Sequence, residues 1–121
     1  MSDAITAFFD TWGLSDDVAR AKAIASVYSE NGTYADPRAQ EPMTGPSAIA
    51  GYINMFSANA PGWTAKVVKS DEIAGLQRAT VAFAGMGPDG KEMVQLGQYF
   101  AELDDGKITR LIGFVGTGEP A

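Results

Sequence analysis

The sequence predicts an α+β fold in which three N-terminal helices pack on a curved, mainly antiparallel sheet. Two observations carry this. Apolar residues recur at helical spacing up to about Phe56, and from Trp63 onward they alternate at the period of strands. Turn signals then punctuate the second half at hairpin spacing, with Gly87-Pro88-Asp89-Gly90 and Asp104-Asp105-Gly106 strong and Ile73-Ala74-Gly75 weaker.

Each element follows from local chemistry. Ser2 or Asp3 is placed to cap a first helix that runs to about Trp12, with Ile5, Phe8, Phe9 and Trp12 on one face and Gly13 as its stop. Ser15 is expected to cap a second helix. Asp16 and Asp17 suit its first turn, and Val18, Ala21, Ile24, Ala25 and Tyr28 form its apolar stripe. Asn31-Gly32 reads as its stop signal, before a short strand over Thr33 to Ala35. Pro46 suits the first turn of a third helix carrying Ile49, Tyr52, Ile53 and Phe56, and Ala60-Pro61-Gly62 closes it. Four long strands are expected over Trp63 to Asp71, Leu76 to Met86, Glu92 to Leu103 and Lys107 to Val115, then a loose tail from Gly116 to Ala121.

Composition narrows the function. A chain of 121 residues is expected to form one domain, 1–121, with a real core. A net charge of −6 argues against nucleic acid and anionic membranes as partners. No run is long and apolar enough to span a bilayer, the N-terminus is acidic, and a cytoplasmic location is the default expectation. With no histidine and no cysteine, Ser-His-Asp and Cys-His catalysis and His-based metal sites are excluded. No cofactor or metal is expected, since the acids do not fall in a calcium-loop spacing. Proton chemistry is left to carboxylates, tyrosines and lysines.

The most informative segment is Tyr34-Ala35-Asp36-Pro37-Arg38-Ala39-Gln40-Glu41-Pro42-Met43-Thr44-Gly45, expected to be a loop between the short strand and the third helix. Pro37 fixes a bend directly after Asp36. An acid held there among aromatic residues is a candidate general base, because desolvation raises a carboxylate's affinity for a proton. It is equally a candidate turn residue that caps backbone N–H groups. A guanidinium from Arg38 on Asp36 would weaken the first reading. In the third and fourth strands, Ala79, Val81 and Phe83 alternate with Arg78, Thr80, Ala82 and Ala84, and Val94, Leu96 and Phe100 alternate with Met93, Gln95, Gly97 and Tyr99. Both faces are apolar or small, which predicts a homodimer through the outer sheet face.

On these residues the chain resembles the nuclear transport factor 2-like superfamily, and within it the SnoaL-like and ketosteroid isomerase-like proteins. The helix and strand order resembles that superfamily's α+β fold, with its cone-shaped curved antiparallel sheet, over nearly the whole chain. Asp36-Pro37, Glu41-Pro42 and Gly45, followed by Ala48-Ile49, match the isomerase loop; Tyr28 to Thr33 and Gly106-Lys107-Ile108 fit its flanks. The resemblance implies that Asp36 stands at the general-base position of a cofactor-independent isomerase, cyclase or lyase acting on an apolar carbonyl compound. It also implies a pocket between helices and sheet, with Phe8, Trp12, Tyr34, Ile53, Phe56, Trp63 and Phe114 as apolar wall and Arg78, Gln95, Gln98 and Tyr99 as polar contacts. The sequence departs from the isomerase pattern. Phe8, Phe9 and Trp12 stand near the position of the first-helix tyrosine, and Gly97 and Gln98 near that of the fourth-strand acid, so the steroid oxyanion hole is not recognisable. A non-catalytic binder of a small apolar ligand and a dimeric interaction module are the alternatives. An Asp-Arg-Asp set of the epoxide-hydrolase kind lacks a convincing second acid beside Asp36 and Arg78.

Overall fold

The computed structural model describes residues 4–60 and 62–116; Ser2, Asp3, Pro61 and the tail beyond Gly116 lie outside them. The helices are α1 (Ala4–Asp10), α2 (Asp17–Val27) and α3 (Pro46–Asn59), with a 3₁₀ turn at Thr11–Gly13. The strands are β1 (Tyr28–Asp36), β2 (Ala39–Thr44), β3 (Thr64–Ile73), β4 (Leu76–Met86), β5 (Glu92–Asp104) and β6 (Lys107–Val115). They form one curved sheet in the order β2-β1-β6-β5-β4-β3. The sheet is mixed rather than wholly antiparallel, because β1 lies parallel to β6 while the other neighbours are antiparallel.

The helices differ from expectation in instructive ways. The first helix tightens into the 3₁₀ turn at Thr11, whose hydroxyl donates to the Phe8 carbonyl at 2.6 Å. Asp16, not Ser15, caps α2, accepting from the Val18 N–H at 3.2 Å. Val18 is 75 % exposed and Arg20 is fully buried in its place. The Arg20 guanidinium donates to the carbonyls of Thr11 (2.9 Å) and Leu14, to Asp17 Oδ1 (2.9 Å) and to Asn54 Oδ1 (2.7 Å). One side chain thereby ties the 3₁₀ turn, α2 and α3 together, which a count of apolar positions cannot foresee.

The short strand expected at Thr33 is longer. Asn31-Gly32 does not stop the chain but lies inside β1, where the register against β6 slips between Tyr28 and Thr33. The Tyr28 ring occupies the space that a Cβ on Gly32 would need, with a ring carbon 2.5 Å from that position, so glycine lets the ring fold over the strand. The segment expected as a loop forms β2, which pairs Tyr34 with Met43 and Asp36 with Ala39. Pro42 is tolerated because β2 is an edge strand. Gly45 takes φ 95° and Pro46 opens α3.

The core lies between the helices and the concave face of the sheet. Ile5, Phe8, Phe9, Ile24, Ile49, Ile53, Val81, Ile108 and Leu111 are fully buried there. Each such side chain contributes about 1.5–3 kcal/mol of burial free energy. Aromatic rings continue this core toward one open end: Phe9 packs on Tyr99 (4.7 Å between centroids), Trp12 on Phe56 (4.9 Å) and Trp12 on Phe83 (5.5 Å).

Candidate active site

Beyond those rings the cone is hollow. A cavity of about 510 Å³ opens between α3 and the ends of β1, β4, β5 and β6. Trp12, Tyr52, Phe56, Trp63, Phe83 and Tyr99 make its aromatic wall, and Met86, Pro88 and Met93 from the β4–β5 hairpin stand at its mouth. Asp36 and Arg38 are the charged residues among those lining it.

Asp36 ends β1 and is only 7 % exposed. The bend at Pro37 lets its carboxylate turn back on its own chain: Oδ1 accepts the backbone N–H of Arg38 at 2.9 Å. Oδ2 accepts the Tyr34 hydroxyl at 2.7 Å, from two residues earlier on the same strand face. Tyr52, reaching down from α3, shares its hydroxyl between Oδ1 (2.9 Å) and Oδ2 (2.8 Å). Tyr99 adds a hydroxyl contact to Tyr34. Arg38 therefore meets Asp36 through its backbone, and no guanidinium–carboxylate bond joins the two among the described residues.

The electrostatics follow from burial. Tyr34, Tyr52 and Tyr99 all have their pKa values raised, chiefly because burial penalises the phenolate; the Asp36 charge adds to this at each, as do the hydrogen bonds that Tyr34 and Tyr52 give to Asp36. The positive charge of Arg38 works against this at Tyr52 and Tyr99. These hydroxyls are thus held as neutral donors. The Trp12 indole N–H is buried and has no acceptor among the described residues, so it does not bond Asp36. A buried N–H left in that state is worth about 1–3 kcal/mol to any acceptor that reaches it.

Of the residues singled out in the sequence, the structure gathers Trp12, Asp36, Phe56, Trp63, Gln95 and Tyr99 around the cavity, and Phe114 borders it from β6 while its ring packs on Phe100 at the outer face. Phe8 and Ile53 are fully buried in the core and do not line it. Tyr34 sits behind the wall, wholly buried, with its hydroxyl on Asp36 and its ring against Trp12 and Tyr52. Arg78 and Gln98 are on the other face of the sheet. Arg78 is ion-paired with Asp71 at 2.8 Å, and Gln98 stands opposite Thr80 and Phe114. Tyr52 was missed. Its signal was present, since it lies one helical turn before Phe56 on the face that Ile49 and Ile53 bury, where a tyrosine needs a partner for its hydroxyl.

The helices, the mixed sheet and the hollow at its open end define the class: a nuclear transport factor 2-like α+β cone. The chain belongs to the SnoaL-like domain family, which matches residues 5–111. Solved structures agree on the fold. A SnoaL-like family protein from Agrobacterium tumefaciens str. C58, proposed to be an isomerase, superposes with a TM-score of 0.79 at 22 % identity, covering 94 % of this chain and 95 % of that one. A protein with a ketosteroid isomerase-like fold from Catenulispora acidiphila DSM 44928, in complex with trimethylamine, gives 0.80 at 15 % identity, over 96 % and 87 % of the two chains. A nuclear transport factor 2-like protein from Exiguobacterium sp. 255-15 gives 0.74 at 21 % identity, over 96 % and 99 %. Among curated proteins no match to the chain emerges.

Proposed function

We propose that the cavity is the active site of a cofactor-independent isomerase or aldol-type cyclase, in which Asp36 moves a proton on the carbon next to a carbonyl of an apolar substrate. The observation that carries the reading is the buried carboxylate of Asp36, fixed by three donors at the wall of a 510 Å³ cavity. A carboxylate has about four lone-pair directions, so the three donors leave room for a substrate C–H. Asp36 takes the α-proton and the C–H electron pair moves into the carbonyl to form an enolate. Tyr99 or Gln95, both on the cavity wall, can donate to the developing oxyanion. Asp36 then returns the proton at another carbon. Alternatively the enolate carbon bonds to a second carbonyl, and the resulting alkoxide takes the proton. Trimethylamine held by the Catenulispora protein is consistent with a small-molecule site in this fold.

The second reading is a binder without catalysis, and the same three hydrogen bonds favour it, since each protein donor on a carboxylate makes it a weaker base and a firmer anchor. The choice is tested by following α-proton exchange of an apolar ketone such as 2-tetralone in D₂O by NMR. Exchange faster than in buffer alone supports the enzyme; tight binding without exchange supports the binder. The assembly proposed with either reading is a homodimer through the outer sheet face, where Val94, Leu96 and Phe114 are 57 %, 41 % and 56 % exposed.

A further inference from the structure

We propose that Arg38 is an anion-recognising residue at the cavity rim, and that the ligand carries a carboxylate as well as its apolar body. This rests on the small-molecule reading of the cavity and adds the substrate's charge to it.

Three features of the structure carry the inference. First, Arg38 is the unpaired arginine. Arg20 holds Asp17, Arg78 holds Asp71 and Arg110 holds Glu102, whereas Arg38 has no ion pair among the described residues. In a chain with 15 acids against 9 bases, a guanidinium without an acid is out of keeping with its surroundings. Second, its place is fixed. The Pro37-Arg38 turn joins β1 to β2, and the Arg38 N–H is bonded to Asp36, so the backbone is anchored while the side chain stays exposed at the cavity. Third, among the described residues it is the only positively charged one lining the cavity; apart from Asp36 the described wall is aromatic, aliphatic or neutral-polar. Its charge is felt at Tyr52 and Tyr99, which brings it within electrostatic reach of the reacting end.

A planar guanidinium matches a carboxylate in a two-pronged hydrogen bond, which a lysine cannot copy. Low-dielectric walls around it focus its field into the cleft. A keto acid could then place its carboxylate on Arg38 at the rim, with its ring against Trp63 and Phe56 and its carbonyl carbon chemistry at Asp36. The anion at the rim also separates the ligand's charge from the Asp36 carboxylate, so the two negative groups do not share one site.

The test uses two ketones of one skeleton, 2-acetylnaphthalene and 6-acetyl-2-naphthoate, titrated against the quenching of Trp12 and Trp63, which both line the cavity. At low ionic strength the acid is expected to bind about fivefold tighter or better, in the range of a single partly exposed ion pair. The difference should shrink in about 0.5 M salt, where the screening length falls to a few ångström. In Arg38→Ala the two ketones should bind alike, and Arg38→Lys should keep part of the preference. An acid that gains nothing over the neutral ketone, or a preference that survives Arg38→Ala, overturns the anion site and leaves the cavity reading standing. If neither ketone binds, the cavity reading falls and the anion site with it.

Discussion

The hydrogen bonds of the candidate site gather on one carboxylate and the hydroxyls around it. Asp36 was legible because its signals are local: an acid before proline, at the end of an apolar strand. Its partners were less so. Tyr34 is two residues away on the same face, but Tyr52 comes from 16 residues further on, and only the packing of α3 over β1 brings it in. All four tyrosines, Tyr28, Tyr34, Tyr52 and Tyr99, have raised pKa values, with burial the first cause in each. This fixes a sign. The folded state favours the neutral phenol more than the unfolded chain does, so the stability this contributes is full below the ordinary value of 10.0 and is lost as pH rises toward the folded values. The near-ultraviolet tyrosinate band should therefore be almost absent from folded protein at pH 10, and should grow together with loss of the circular dichroism signal above it. Half-ionised tyrosines in protein still folded at that pH would contradict the buried network.

Among the elements, periodicity located the helices and the long strands, and missed what depends on pairing partners. Alternation along β4 and β5 correctly separates Ala79, Val81 and Phe83 from Arg78 and Thr80, and Gln95 and Tyr99 from Gln98. It does not say which set faces inward when both sets are apolar or small, and so Arg78 and Gln98 were expected at the pocket although they lie outside it. β2 escaped because Pro37 just before it and Pro42 within it read as a loop; an edge strand needs only one side of its backbone free to pair. Close packing of rings on glycines is equally silent in sequence. A Cβ on Gly113 would lie 2.3 Å from the Tyr99 ring and one on Gly85 2.4 Å from Trp63, so these two glycines seat cavity residues. Arg20 is the sharpest case of an element-level role, since it satisfies carbonyls of the 3₁₀ turn and the loop after it while reaching α3. Arg20→Ala leaves the Leu14 carbonyl and Asn54 Oδ1 without this donor, leaves the Thr11 carbonyl with the Leu14 N–H alone, and empties a fully buried site. It should cost about 3 kcal/mol or more, read as a lowered midpoint in urea unfolding. A change under about 1 kcal/mol would show that the clamp is not structural.

For the molecule as a whole, the sheet has two faces with different fates. The concave face is covered by helices. The outer face carries Leu96 opposite Ala82, Val94 opposite Ala84, and Phe100 opposite Ile112, with Phe100 and Phe114 packed edge to face at 5.8 Å. These apolar side chains, interrupted by Thr80 and Gln98, are what the proposed homodimer would bury. Sedimentation at micromolar concentration should give twice the mass of 12.7 kDa, and Leu96→Glu should return a folded monomer. A wild-type monomer under those conditions would remove the dimer. No described helix is long and apolar enough to cross a membrane.

The most direct measurement is the exchange of 2-tetralone α-protons in D₂O by the wild-type protein and by Asp36→Asn, with binding of the ketone followed in parallel. The variant keeps the shape that Tyr34, Tyr52 and the Arg38 N–H surround and removes the base. If Asp36 is the proton-transfer group, exchange falls about 10²-fold or more, as for other losses of a general base, while binding changes little. Exchange at the wild-type rate in Asp36→Asn, or none above buffer in the wild type, would contradict it.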